Sequence, residues 1–319
     1  MKKVFIAILA VTALAACNKS EVVETAPAAA IAFDQVFVNN ATKAADLTAG
    51  NFDFGVFGYV EKGGNGALIF DNQTVARDGS YSPAQYWIAG AQYYFAALAP
   101  KTDAKWNYTS TNAHTGTIAF NNEGANQDLI YSYNKPAVTA DPLSTQPAKV
   151  GFTFNHMLSR VRFTFTNGFA EGTNMTIKVT NVNITDAYAN GTLDVTDGAP
   201  AAGWAATDKN LNVAFGNAGD AAIAINGAAS TEHFYLIPAE GSYNVSFTVE
   251  VIQAGVVSNT YDRTATLTAD MNRGGSYDIK TTLNASNVAP NPIYPIEFQV
   301  NSVEGWDDYS DVTGTVNNQ

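Results

Sequence analysis

The stretch that decides the fold is LSRVRFTFT, residues 158–166. From Arg160 onward it alternates strictly between polar and apolar residues. Successive side chains of a strand point to opposite faces, so Val161, Phe163 and Phe165 would share one face. This pattern predicts a β-strand that is buried on one side only.

The same alternation recurs on both sides of this stretch. It is clear in residues 245–251 and, with one polar break, in residues 177–184. Clusters of Gly, Asn and Asp separate such segments and supply the positive-φ positions of tight turns, at residues 63–66, 190–191, 197–198 and 272–275. Short strands joined by such turns predict an all-β chain built from antiparallel sandwiches.

The chain has 319 residues, which is enough for two domains. Three prolines within residues 135–149 interrupt strand pairing, and we predict the domain boundary there. The predicted divisions are a tether, a first β-sandwich domain, a second β-sandwich domain and a separate C-terminal segment, at residues 18–30, 31–148, 149–289 and 290–319.

The N-terminus has the pattern of an export signal. Two lysines precede an apolar run over residues 4–16, which is shorter than a bilayer span. Ala15 and Ala16 lead into Cys17, and this arrangement resembles a bacterial lipobox, in which the cysteine sulfur is acylated. We predict a lipoprotein signal peptide over residues 1–17, an acyl anchor on Cys17 in outer-membrane lipid, and no disulfide, since Cys17 is the only cysteine.

Composition restricts the classes of partner. Charged residues make up 14% of the chain and hydrophobic ones 46%, as in a globular protein. Lys and Arg total 17 against 29 Asp and Glu, a net charge of −12. Binding to phosphate backbones requires the opposite sign, so nucleic acid is not an expected partner.

The residues that commonly carry catalysis lack the spacing that catalysis requires. His114, His156 and His233 are isolated, and no zinc, phosphate-loop or nucleophile-elbow motif is present. We predict neither a metal nor a cofactor, and no enzymatic activity. A carboxylate pair for glycoside hydrolysis stays open at this point, because such pairs assemble in space.

Two further clusters have a functional and a structural interpretation. The acidic group at residues 304–311 could bind calcium but lacks the spacing of a calcium loop, and we expect it to be solvated. The aromatic residues within 86–95 could stack on sugars, but alternating strand aromatics more often fill a core.

Several stretches, taken in their order, resemble the Bacteroidetes fimbrillin family with its FimA-like and Mfa-like groups, the lipoprotein-derived subunits of type V pili. The most specific is FTFNHMLSRVRF at residues 152–163, which is similar to the opening of the second domain in that family. The others are NATKA, FDFGVFGY, YYFAALAP, GSYDI and the segment from IEF to Trp306, at residues 40–44, 52–59, 93–100, 275–279 and 296–306. The resemblance spans nearly the whole chain.

The resemblance implies two transthyretin-like β-sandwich domains in tandem and an outer-membrane lipoprotein precursor. It further implies that a trypsin-like surface protease removes the first strand, and that the subunit then polymerises by donor-strand exchange with copies of itself or other fimbrial subunits and supports adhesion. In this sequence the displaced first strand corresponds to Ile31, Phe33, Val36 and Val38.

The maturation site departs from the family pattern. Lys43 stands where the best-known members have arginine, and Arg77 is the fallback site. Three alternatives stay open: the protease accepts lysine, the chain is cut elsewhere, or it stays uncut as an anchor or accessory subunit.

The C-terminal segment is the predicted donor. Its apolar residues alternate or nearly so, and three prolines in residues 290–295 give it an extended, semi-stiff lead. The predicted donor residues are Ile296, Phe298, Val300, Val303 and Trp306. Their burial in a neighbour would contribute on the order of 10 kcal/mol before ordering costs. We expect the segment to make few contacts with its own domain, whereas the alternative is a last strand of that domain.

A second function is compatible with the same sequence. A monomeric outer-membrane lipoprotein could display a sandwich that binds carbohydrate or protein at the cell surface.

Overall fold

The computed structural model describes residues 29–34, 36–38, 52–143, 145–290 and 292–302. Several predicted features lie outside these residues, namely Cys17, Lys43, Val303, Trp306 and the acidic group at 304–311. Among the described residues, no helix is both long and apolar enough to cross a membrane.

Strands make up most of the described chain. The first eight are β1 Phe37–Val38, β2 Phe54–Lys62, β3 Asn65–Val75, β4 Gln92–Ala99, β5 Trp106–Ser110, β6 Gly116–Asn121, β7 Ile130–Asn134 and β8 Thr153–His156. The next ten are β9 Ser159–Asn167, β10 Met175–Thr196, β11 Ala199–Pro200, β12 Ala205–Gly216, β13 Ala228–Ser230, β14 Phe234–Leu236, β15 Ser242–Gln253, β16 Val256–Thr268, β17 Ser276–Leu283 and β18 Gln299–Ser302. One short helix, α1 Ala285–Val288, precedes β18. The predicted all-β fold is confirmed.

The strands form three sheets. A six-stranded sheet has the order β1-β8-β7-β4-β2-β3, and its β1–β8 pair is parallel. A seven-stranded sheet runs β16-β15-β10-β6-β5, with β11 and β12 also paired to β10. A five-stranded sheet runs β13-β9-β17-β18, with β14 also paired to β9 and with β9 and β17 parallel.

The alternating residues 160–166 lie in β9, and the apolar ones among them are buried. Val161, Phe163 and Phe165 face Val179 and Phe247 of the seven-stranded sheet in one apolar core. Two sheets that bury one face against each other in this way form a β-sandwich.

The six-stranded sheet has apolar residues on both faces. One face, with Phe57 and Leu98, packs on Trp106 and Ile118 of the seven-stranded sheet. The other face carries a separate core that includes strand residues such as Phe54, Phe95 and Phe154 and the N-terminal residues Ile31, Phe33 and Val36.

The predicted boundary at residues 148 and 149 does not divide the sheets. β8 follows the boundary yet pairs with β7, and β5 and β6, which precede it, belong to the same sheet as β10. The proline-rich segment breaks pairing locally without separating the strands that it connects. The division into two domains stays a prediction.

Candidate functional site

The N-terminal segment, residues 29–38, is the most enclosed terminal part of the described chain. Ile31, Phe33 and Val36 are each at most 3% exposed. The Phe33 ring lies 5.3–6.5 Å, centroid to centroid, from five other rings, those of Phe54, Phe70, Tyr81, Phe95 and Phe152. A single side chain therefore connects the segment to much of this core.

Residues 85–87 flank the segment on one side. The Ile31 amide donates to the Gln85 carbonyl at 2.8 Å, and the Ala29 carbonyl accepts from the Trp87 amide at 2.9 Å. These two bonds bracket an antiparallel bridge between Ala30 and Tyr86.

Residues 150–154 flank the segment on the other side, in the parallel sense. The Val150 amide donates to the Ala32 carbonyl at 2.8 Å, and the Asp34 amide donates to the Val150 carbonyl at 3.0 Å. Further along, the Phe37 amide donates to the Phe152 carbonyl at 3.0 Å, where β1 pairs with β8. The segment thus has main-chain partners on both sides, and we call the space that it fills the slot.

Two side chains also hold the segment. The Tyr81 hydroxyl donates to the Ile31 carbonyl at 2.7 Å and accepts from the Gln85 amide at 3.3 Å. Burial raises the pKa of Tyr81 above its ordinary range, so the phenol stays neutral and able to donate at physiological pH. The Gln146 amide group donates to the Ala30 carbonyl at 2.8 Å.

The tail strand, our name for residues 296–302 including β18, lies at the C-terminal end of the described residues and at a sheet edge. Ile296, Phe298 and Val300 are buried in the core shared by the five- and seven-stranded sheets. The Phe298 ring lies 5.8 Å from the Phe163 ring, and Val300 pairs with Ile279 where β18 joins β17.

This packing corrects one expectation from the sequence. The C-terminal segment was expected to make few contacts with its own domain, but Ile296, Phe298 and Val300 are buried in the core and Gln299–Ser302 form a last strand on β17, as the alternative interpretation held. The physical reason is that an alternating apolar strand suits any open sheet edge with an apolar core beneath it, and β17 offers one within the same chain. The donor role of Ile296, Phe298 and Val300 stays a prediction.

The connection to the tail strand is exposed. Ile293 and Tyr294 are largely exposed, and their amides both donate to the Ser286 carbonyl, at 2.9 and 3.3 Å. Before them, the Arg263 guanidinium donates to the Val288 carbonyl and, at 2.7 Å, to the Ala289 carbonyl at the end of α1. The chain is therefore fixed at Ala289, exposed at Ile293 and buried again from Ile296.

The fallback cleavage residue, Arg77, is exposed in the turn after β3. Its amide donates to Asp53 Oδ1 at 3.1 Å. Cleavage there would release β2 and β3 together with the N-terminal segment, and β2 pairs with both β3 and β4.

The remaining candidates lie in structural surroundings. His114 Nδ1 lies 3.1 Å from Asp197 Oδ1, and the buried His156 Nδ1 lies 2.8 Å from Asp128 Oδ2. In the described part of the chain, no three His, Cys, Asp or Glu side chains are grouped so as to hold a metal ion. Of the aromatic residues within 86–95, Trp87, Tyr93 and Phe95 are buried in the core and not available to stack on sugars.

The family model that matches residues 40–302 is described as fimbrillin-like. The chain belongs to the fimbrillin-like family. A second model, for a prokaryotic membrane lipoprotein lipid attachment site, matches residues 1–18. This fimbrillin-like chain is an exported surface lipoprotein of fimbriae, and the family predicted from the sequence is confirmed. No curated protein matches the sequence.

Solved structures of fimbrial proteins share the fold. A fimbrial protein from Bacteroides vulgatus ATCC 8482 has 17% identity and a TM-score of 0.56, with 87% of this chain and 99% of that chain covered. A candidate cell adhesion protein from Parabacteroides distasonis ATCC 8503 has 12% identity and a TM-score of 0.50, with 88% and 96% covered. At these identities the likeness concerns the fold.

The sequence indicated the apolar residues that fill the slot but not the polar residues that hold the N-terminal segment in it. Tyr81, Gln85 and Gln146 lie far from the N-terminal segment in sequence and carry no local motif. Only the strand pairing brings them together, and pairing between distant segments cannot be deduced from a single sequence.

Proposed function

We propose that this fimbrillin-like subunit polymerises by strand exchange. Proteolysis frees the N-terminal segment, and the C-terminal segment of a neighbouring subunit takes its place in the slot. The observation that carries the proposal is that the N-terminal segment is buried and also hydrogen-bonded on both sides. Its departure would leave an apolar trench between two rows of unpaired main-chain groups, which is a template for another strand.

The magnitude of this effect supports exchange. Burial of Ile31, Phe33 and Val36 contributes roughly 1.5 to 3 kcal/mol for each side chain. A neighbour's Ile296, Phe298 and Val300 leave one core and enter another, so their own burial changes little. Refilling the slot is offset by the opening that the tail leaves beside β17 in its own subunit. The net gain therefore comes from contacts that the tail makes only in the neighbour, and Val303 and Trp306 would add to it.

Cleavage at Lys43 fits this scheme better than cleavage at Arg77. Lys43 follows the N-terminal segment and precedes β2, so a cut there frees the segment alone. A cut at Arg77 would also remove Phe54 and Val56 from the same core. We infer that a trypsin-like protease that accepts lysine matures this subunit.

The remaining parts of the proposal concern place and role. Acylated Cys17 holds the precursor in outer-membrane lipid, and maturation after Lys43 releases the subunit from that anchor. Two or more acyl chains give stable anchoring, whereas one gives marginal binding. The subunit then acts without catalysis, through contacts with its own copies or other fimbrial subunits, and the assembled fimbria supports adhesion.

The test compares two single substitutions at the candidate sites. The purified precursor, the Lys43→Gln variant and the matched Arg77→Gln variant are treated with limited trypsin and viewed by electron microscopy. The precursor and Arg77→Gln should gain Ala44 as a new N-terminus and form filaments, while Lys43→Gln should do neither.

Two results would contradict the proposal. Filaments from uncut Lys43→Gln would show that assembly does not require proteolysis. A matured chain that loses the N-terminal segment and stays monomeric at high concentration would show that the emptied slot does not accept a neighbour's strand.

A further inference from the structure

We propose a register for the exchanged strand, and this proposal rests on the function proposed above. The donor runs in the direction of the displaced segment, with Ile296, Phe298 and Val300 in the places of Ile31, Phe33 and Val36. In this register the exposed Ile293 of the donor lies opposite the exposed Ile88 of the acceptor. The occupant of the slot is therefore a second copy of this chain, held by the slot and by a new apolar contact at its mouth.

The first step is the spacing of the buried side chains. Both strands begin with Ile-x-Phe, at Ile31 and at Ile296. Phe33 pairs with Val150, and Phe37 pairs with Thr153. Between these two pairs the N-terminal segment advances by four residues while its partner advances by three. The segment thus contains one extra residue, and Val36, one step before Phe37, is level with Phe152.

The tail strand fits the same partner without that extra residue. If Phe298 takes the place of Phe33 opposite Val150, regular alternation brings Val300 level with Phe152, the position of Val36. Asn301 then takes the place of Phe37, which is 62% exposed and tolerates a polar residue. The regular strand therefore matches the slot at all three buried positions.

The main-chain donors of the slot also match. The displaced segment uses the amides of Ile31, Asp34 and Phe37. In the proposed register these become the amides of Ile296, Gln299 and Asn301, and none of the three is proline. Pro295 falls in the place of Ala30, whose bridge to Tyr86 is bracketed by bonds from its neighbours and requires no amide from Ala30 itself.

The mouth of the slot gives an independent reason for this register. Tyr86 and Ile88 are 52% and 47% exposed. Tyr86 lies opposite Ala30, and a strand that continues this antiparallel pairing would place the residue two positions earlier opposite Ile88. In the donor these positions are Pro295 and Ile293, and Ile293 is 79% exposed in its own subunit. The donor thus covers apolar surface that the displaced segment leaves in water, and this difference favours the exchanged state.

Donor residues at the outer end of the slot are larger than those that they replace, and Tyr294 is the largest of them. Tyr294 falls in the place of Ala29, at the outer end of the slot. At that end the ring can lie across the opening with its hydroxyl in water, as aromatic residues with one polar end do at interfaces.

The experiment traps the register with a disulfide. Cleavage after Lys43 removes Cys17, so the matured chain has no cysteine other than those introduced. Tyr86→Cys is combined with Pro295→Cys, with Ile293→Cys or with Glu297→Cys in three otherwise identical proteins. Directly opposite residues of a non-hydrogen-bonded antiparallel pair are close enough for a disulfide, whereas a shift of two residues moves them about 7 Å apart along the strand.

Under mild oxidation the Pro295→Cys pair should give a ladder of cross-linked oligomers. A ladder that is strongest with Ile293→Cys or Glu297→Cys would overturn the register while leaving strand exchange intact. Filaments without cross-links in all three proteins would overturn the register and exclude this tail as the occupant. A matured wild-type chain without filaments would contradict the proposed function itself.

A second measurement tests the contact at the mouth. Ile293→Ser and Ile88→Ser should each slow filament growth about tenfold, because each leaves one apolar partner in water. Together they should cost less than the product of the two effects, since they remove the same contact. The matched control is Val256→Ser, an exposed apolar residue at the β15–β16 hairpin that the register does not involve. Equal effects from all three would overturn the contact.

Discussion

The two ends of the described chain bury similar residues in different ways. Residues 29–38 and residues 296–302 both contain a buried Ile-x-Phe, at Ile31 and at Ile296. The first lies between two flanking stretches, whereas the tail strand lies at the end of the strand order, paired with β17. An edge strand can leave by local fraying, but an enclosed one must break bonds on both sides before it leaves.

This difference assigns the two ends different parts in exchange. The tail strand can reach a neighbour when the edge of its own sheet opens, and the proline-rich lead at residues 290–295 allows it to extend. The N-terminal segment is joined to β2 through residues 39–51, so it stays at high effective concentration near the slot until the chain is cut. Proteolysis would therefore control the acceptor and leave the donor unchanged.

The largest expected effect is at the enclosed end. Phe33→Ala in the uncut chain should lower the free energy of unfolding by about 3 to 5 kcal/mol, because it leaves a cavity among five aromatic rings. Phe37→Ala is the matched control, since Phe37 is exposed, and it should change stability by about 0.5 kcal/mol or less. Urea unfolding of both variants measures the difference, and equal losses would mean that the segment is not enclosed.

A smaller loss is expected at the edge. Phe298→Ala should cost about 3 kcal/mol, the low end for a buried phenylalanine, because the Phe298 ring contacts Phe163 and Phe247 and the edge can open locally. The control is Gln299→Ala, at the neighbouring exposed position. Calorimetry on the precursor measures both, and an unchanged midpoint for Phe298→Ala would show that the tail does not stabilise its own domain.

The comparison also explains what could be predicted from the sequence. Alternation of apolar residues is a local property, so β9, the all-β class and the apolar faces of both terminal strands were predictable. Which sheet edge a strand joins depends on distant partners. Ile296 and Phe298 suit their own core and a neighbour's slot equally well by pattern, and only the pairing with β17 distinguishes them.

For the same reason, the residues that fill the slot could be predicted from the sequence, whereas those at its mouth could not. Ile31, Phe33 and Val36 could be chosen from the alternation and the family resemblance. Tyr86 and Ile88 look like ordinary strand residues in the sequence, and their exposure beside Ala30 depends on the antiparallel bridge. His156 was expected to be a hydrogen-bonded structural histidine, and its Nδ1 lies 2.8 Å from Asp128 Oδ2 in buried surroundings, a partner that its isolation in sequence could not identify.

Two side-chain hydrogen bonds allow a finer comparison. Tyr81 donates to the Ile31 carbonyl at the enclosed end, and the Thr281 hydroxyl donates to the Glu297 carbonyl at 2.6 Å at the edge. Tyr81→Phe and Thr281→Val should each cost about 1 kcal/mol, since each removes one hydrogen bond and keeps the shape. Native-state hydrogen exchange should find each loss confined to its own end, and a loss at both ends would mean that the ends are coupled.

The smallest effect separates the two ends by pH. Burial raises the pKa of Tyr81, so the folded state favours the neutral phenol. The stability that this preference contributes is complete below the ordinary phenol pKa of about 10 and is lost as pH rises through the raised pKa. Thr281 does not titrate, so its hydrogen bond at the edge lacks this dependence. Subtilisin cleavage within residues 29–38 should therefore accelerate with alkaline pH in the wild-type chain, and less so in Tyr81→Phe, where no phenolate forms beside the Ile31 carbonyl. Tyr261→Phe, far from the slot in sequence, serves as the matched control and should follow the wild type. Identical profiles for the wild type and Tyr81→Phe would assign the alkaline response to another group, such as Tyr93, whose pKa is also raised by burial and whose hydroxyl accepts from the Ile88 amide at 2.6 Å.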